Sequence, residues 1–147
     1  MYRHLFPVLV LALLPFLSRC GESENFVTGP SGIRGSHNAG RDCMGCHGSG
    51  GEGPTWTVAG TVYRDDGVTA YAGAQVRLTT ERDGGGSVLI ELTSDGSGNF
   101  YTSRAVGFGG GLFADVAGTG PRRSMQEPLT RGACNSCHDA SNRLRAD

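Results

Sequence analysis

From residue 56 onward the chain alternates apolar and polar positions with a period of two, the pattern of strands covered on one face. Trp56, Val58 and Val62 alternate with Thr57, Thr61 and Tyr63, and Ala74, Val76 and Leu78 alternate with Gln75, Arg77 and Thr79. The run 88–92 sets Val88, Ile90 and Leu92 on one face, Phe100 and Thr102 continue the habit, and 112–116 adds a further short run. Gly60 interrupts the first of these strands and marks a bulge. The breaks between runs (RDDG at 64–67, RDGGGS at 82–87, SDGSGN at 94–99) are rich in turn formers. The last begins like a calcium loop but lacks the later acidic ligands, and reads as a hairpin turn. Beyond residue 20 no segment carries an amphipathic helical stripe. The pattern therefore predicts a mainly β protein: a small antiparallel β-sandwich of about five to seven strands. Loop and short-helix segments flank it at both ends.

The first 20 residues follow another logic. Arg3 and His4 precede an apolar run, 5–17, broken by Pro7 and Pro15. The run is too short to span a bilayer as a helix and fits the apolar region of a secretory signal peptide, while its prolines disfavour a buried helix. Leu17-Ser18-Arg19-Cys20-Gly21 resembles the lipobox of bacterial lipoproteins, which implies lipidation of Cys20, although Arg19 stands where that pattern has a small residue. Ordinary cleavage near Cys20 or Gly21 is the other reading, and both stand. Residues 21–36 are polar and Gly-rich and read as a flexible arm. The expected organisation is then a signal peptide over 1–20, the arm over 21–36, a first chemistry-bearing segment over 37–54, the sandwich over 55–120 and a second such segment over 121–147.

Composition adds little to this picture. The 147 residues suit one domain, and all 13 basic residues are arginine. The formal net charge of −1 gives no reason to expect a nucleic-acid partner.

The chemistry lies in the flanking segments. Residues 43–47 read CMGCH and residues 134–138 read CNSCH. C-x-x-C-H is the attachment sequence for c-type haem: the two thiols each add to one vinyl group of the porphyrin, and the following imidazole binds the iron. Cys43, Cys46, Cys134 and Cys137 are thus the candidate thioether residues of two covalently attached haems c, with His47 and His138 as proximal ligands. Four of the five cysteines are used in this way.

Six-coordinate iron needs a second axial ligand at each haem. Past residue 20 the remaining soft or imidazole donors are His37, Met44 and Met125. Met44 lies inside the tethered loop of its own motif and cannot reach the far face of that ring. His37, six residues before Cys43, resembles the upstream histidines of closely packed multihaem cytochromes, which often ligate a neighbouring haem; the resemblance implies a distal ligand. Met125 lies nine residues before Cys134, far enough for a loop to fold over a ring, so it is a candidate distal ligand or a packing residue. No combination supplies two imidazoles to both irons. The second haem is therefore His/Met, open on one side, or completed by another subunit. Arg41, Arg131 and Arg143 stand near the motifs as partners for haem propionates, and the glycines of FGGG at 108–111 suit a loop approaching a porphyrin face or a plain loop.

The stretch TVAGTVYRDDGVTAYAGAQVRLT, followed by TSDGSGNFYT, resembles the carboxypeptidase regulatory-like, transthyretin-type β-sandwich family over about residues 57–103. That resemblance informs architecture and not activity. The whole arrangement is similar to small secreted diheme c-type cytochromes of respiratory bacteria, in which haem-binding ends flank a β-domain. It implies an exported electron carrier (periplasmic, an outer-membrane lipoprotein or extracellular) rather than a catalyst, working with other redox proteins or cytochromes. Self-assembly into a haem chain or extracellular filament would follow if His37 completed a neighbour's haem, and the membrane would be met only through lipidated Cys20. The competing readings are a haem enzyme or gas or peroxide sensor with one open axial position, and a zinc- or disulfide-stapled binding sandwich.

Overall fold

The computed structural model describes residues 36–147; the segments expected as signal peptide (1–20, with Cys20) and, but for Ser36, as flexible arm (21–36) lie outside the described residues. The chain is mainly β, with seven strands in two sheets: β1 (Val58–Thr61), β2 (Gln75–Thr79), β3 (Val88–Thr93), β4 (Asn99–Thr102), β5 (Phe113–Ala117), β6 (Arg123–Ser124) and β7 (Gly132–Ala133). One helical turn, α1 (Met44–His47), precedes them, with 3-10 turns at Arg82–Gly84 and Cys134–Ser136.

The first sheet has the order β4-β1-β7, the second β3-β2-β5-β6. Every pairing is antiparallel except β1 with β7, which run parallel with Val58 opposite Gly132 and Ala59 opposite Ala133. Between the sheets lie Val58 and Phe100 from the first and Val76, Leu78, Ile90 and Val116 from the second, joined by Val62, Tyr71, Ala74 and Leu112. The alternation along β2 is the reason it can sit in mid-sheet: Val76 and Leu78 enter the core while Arg77 on the opposite face meets Asp115.

All four residues of β1 are buried, which a strand solvated on one face does not show. The outer face of the first sheet is covered by the segment from Ser36 to Trp56 and by the turn after β7. Thr61, Asn99 and Tyr101 point into that cover, while Val58 and Phe100 face the sandwich interior.

Three local expectations are corrected. Gly60 marks no bulge: the β1–β4 ladder runs unbroken through it, and the register shift lies between Leu78 and Thr79. Gly60 is instead a place of close approach, where a Cβ would come within 2.6 Å of the Phe100 ring and 2.8 Å of the Cys134 Cβ. The 94–99 turn joins β3 to β4, which belong to different sheets, so it is a crossover and not a hairpin. Asp95 holds it, its Oδ1 accepting hydrogen bonds from the amides of Ser97 at 2.8 Å and Asn99 at 3.0 Å. Val88, expected on the covered face of β3, is exposed at the strand's start.

Candidate functional site

Each C-x-x-C-H segment folds into the same single turn. The His47 amide donates to the Cys43 carbonyl at 2.9 Å, and the His138 amide donates to the Cys134 carbonyl at the same distance. In both, the first cysteine and the histidine are four residues apart on one helical turn and so share a side. Asp42 supports the first turn by accepting from the Met44 amide at 3.1 Å.

The histidines are also fixed alike. His47 Nδ1 lies 2.9 Å from the Pro54 carbonyl oxygen, and His138 Nδ1 lies 3.0 Å from the Asn142 carbonyl oxygen. A carbonyl can only accept, so each imidazole must hold its proton on Nδ1. In the neutral ring this makes Nε2 the nitrogen that carries the lone pair, the tautomer a metal-ligating histidine uses. A Cβ on Gly53 would come within 2.6 Å of both Nδ1 and Cε1 of His47, so only glycine lets the 48–54 loop close on this ring.

The two surroundings differ. His47 is buried and stacks on Trp56 with ring centroids 3.5 Å apart and planes 3° from parallel; Trp56 stacks in turn on Tyr101 at 3.9 Å and 12°. His37, otherwise exposed, brings its ring to 6.1 Å from that of His47, at 42° between planes. His138 is half-buried and lines a cavity of about 450 Å³ that runs from the C-terminal segment in between the sheets. Met125 and Cys134 line the same cavity, with Val76, Phe100 and Val116 at its apolar end and Arg123, Arg143 and Arg145 around it.

The thiols are unequal. Cys134 is buried in the core cluster, and burial pushes its thiol up to about 12. Burial also raises the thiol of Cys43, while Cys137 is exposed. Cys46 is disulfide-bonded, so any other covalent chemistry at its sulfur first requires reduction.

The structure seats the second motif's turn against the central strand β1, and the lead-in to the first motif meets the same strand where the Gly40 amide donates to Thr61 Oγ1 at 2.9 Å. It places His37 beside His47 and Met125 beside His138 and Cys134. Met44 is half-buried in α1. Of the arginines singled out in the sequence, Arg143 lines the cavity, its Nη1 donating to the Gly67 carbonyl at 2.7 Å, whereas Arg131 bonds Ser136 in the second motif. The FGGG loop is not among the lining residues. Sequence reasoning missed Trp56 and Tyr101 as the support of His47, Arg123 and Arg145 at the cavity, and Asn135. The first is foreshadowed by an aromatic residue at the start of β1 opposite the end of β4; the others left no local mark.

Among the described residues no three His, Cys, Asp or Glu side chains converge as a metal-binding group. A zinc ribbon needs such a convergence, whereas a haem brings four of its iron's ligands in the ring and asks the chain for one or two. The residues that could hold such a group are the two C-x-x-C-H segments, each with its histidine tied through Nδ1, Cys46 only after reduction of its disulfide. No protein-family model, curated protein sequence or solved structure matches this chain.

Proposed function

We propose that this protein is an exported diheme c-type cytochrome that passes single electrons between redox partners. The observation that carries the reading is the matched pair of imidazoles: two histidines, each directly after a C-x-x-C pair, each with Nδ1 tied to a main-chain carbonyl so that Nε2 carries the lone pair of the neutral ring. A surface or core histidine has no reason to share that arrangement with the one other copy of its motif.

Cys43 and Cys46 would hold the first haem, and Cys134 and Cys137 the second; once a dithiol reductant has opened the Cys46 disulfide, each thiol would add its S–H across one vinyl double bond so that no atom leaves. What the haem supplies is a reversible one-electron change at iron. The chain's part is to fix ligands and surroundings. His47 and His37 are the ligand pair for the first haem. Their rings stand 6.1 Å apart by their centroids, near enough that both would reach one bound group. His138 and Met125 are the pair for the second, because both line one cavity that Cys134 also lines. Arg143 and Arg145 at the cavity would be the partners for propionates, whereas Arg123 there already pairs with Asp65 at 2.6 Å. This assignment fills the ligand deficit with one bis-imidazole and one His/Met haem in a single chain. With it, neither haem would need a neighbour's histidine.

The test is the intact mass of protein matured with covalent haem attachment. Two added haems are expected. A chain carrying none, beside a control cytochrome that matures normally, would leave a sandwich with thiols and sink the reading.

A further inference from the structure

Asn135 is one of the two variable positions of the second motif, yet it is buried and its side chain serves the first. Its Oδ1 accepts from the Thr61 amide at 3.0 Å. Its Nδ2 donates to the Arg41 carbonyl at 2.7 Å and to Thr61 Oγ1 at 3.0 Å, and lies 4.0 Å from the Cys43 sulfur. Arg41 is two residues before Cys43, so this one amide ties the entry of the first motif to the second.

Thr61 extends the tie. Its hydroxyl accepts from the Gly40 amide at 2.9 Å and donates to Asn99 Oδ1 at 2.6 Å. Asn99 Nδ2 then donates to Ser36 Oγ at 2.9 Å and to the His37 carbonyl at 3.3 Å. The side chains of Asn135, Thr61 and Asn99 are all buried. Together they hold the main chain at residues 37, 40 and 41, the whole lead-in to Cys43. Apart from its ring contact with His47, His37 is exposed, so its place depends on this network gripping its backbone.

We propose that Asn135, Thr61 and Asn99 act as a positioning network for the first haem, holding His37 opposite His47 from a residue that belongs to the second haem's motif. The proposal rests on the diheme reading above. It gives the two motifs an asymmetric relation: the second motif is part of the scaffold of the first, while nothing comparable from residues 36–47 reaches the His138 cavity. A buried polar network of this kind is costly unless every member is satisfied, so deleting one member is felt by the others.

The test uses the full chain carrying both haems. In Asn135→Leu, intact mass should still show two haems. The low-spin bis-imidazole signal in electron paramagnetic resonance should be lost or converted to high-spin, while the His/Met haem keeps its spectrum. About half of the low-spin intensity is then gone, since one haem of two changes. Thr61→Val removes the hydroxyl at constant shape and should give the same change, and Thr61→Ser, which keeps the hydroxyl, should restore the wild-type spectrum. If Asn135→Leu does not fold, the Val and Ser pair at residue 61 decides. An unchanged bis-imidazole signal in a two-haem Asn135→Leu or Thr61→Val protein overturns the proposal, as does a change confined to the His/Met haem. A wild-type protein without haem refutes the diheme reading instead, so the two failures are distinguishable by mass alone.

Discussion

Gly60 offers a sharp test of how the sandwich core and the second motif share space. Gly60→Ala adds one methyl group at the centre of β1, where the new carbon would lie 2.6 Å from Phe100 Cζ, 2.8 Å from Cys134 Cβ and 2.9 Å from Phe100 Cε1. Carbon atoms in contact prefer about 3.5–4.0 Å, so something must yield by roughly 1 Å. Phe100 is only 2% exposed and Cys134 8%, so neither has solvent to move into. Overpacking of this sort costs about 1–3 kcal/mol. In a domain of this size that lowers the midpoint of unfolding by about 4–15 °C. The assay is thermal unfolding followed by circular dichroism, with intact mass on the same material. The melt should shift down, and because Cys134 is one of the displaced groups, attachment at the second motif should fall relative to the first. A wild-type melt together with full two-haem occupancy would refute the packing argument, because it would mean that Cys134 and Phe100 do not meet over Gly60.

The Cys134 thiol makes a second prediction. Burial raises it from an ordinary 9.0 to about 12, so between those values the folded chain keeps a proton that the unfolded chain has released. Unfolding free energy measured in denaturant at a series of pH values should therefore be level below pH 9 and fall above it by about 1 kcal/mol per pH unit. Protein with the thiol converted to a thioether should lack this descent. Met125→Leu keeps the packing volume and removes the sulfur, so optical spectroscopy should show loss of the thioether-ligated haem with the bis-imidazole haem untouched, and the second haem's potential should drop. Asp115, almost wholly buried, accepts from Arg77 at 3.1 Å through both of its oxygens and pairs with Arg122. Asp115→Asn should cost about 2–3 kcal/mol in urea unfolding, below the cost for a fully buried pair because the arginines keep 22% and 32% of their side-chain exposure.

Strands such as β2 and β3 were legible because one face enters the core, which writes itself into the sequence as alternation. β1 keeps that alternation although both its faces are covered, since Thr61 on its outer face meets polar partners. The two-residue strands β6 and β7 were not, since no period fits into Arg123–Ser124 or Gly132–Ala133. The destination of a turn was also hidden: SDGSGN announces a reversal, but whether the next strand joins the same sheet depends on partners elsewhere. In the site, the motif histidines and cysteines stood out because their spacing alone carries the chemistry. Met125 could be named but not placed, its role resting on a cavity built by residues from several elements. Asn135 was invisible, since its partner Thr61 is 74 positions away and nothing in either neighbourhood refers to the other.

The parallel pairing of β7 with β1 sets an order of events. It joins residues separated by most of the domain, and such closures come late because loop entropy must be met before a two-residue ladder returns anything. Until β7 docks, Cys134 is an ordinary accessible thiol. Once it has docked, Cys134 is shielded, and burial pushes its thiol up to about 12. If haem is attached at the second motif as proposed, it would have to be attached before that strand closes, since haem offered to the finished fold would find that sulfur shielded.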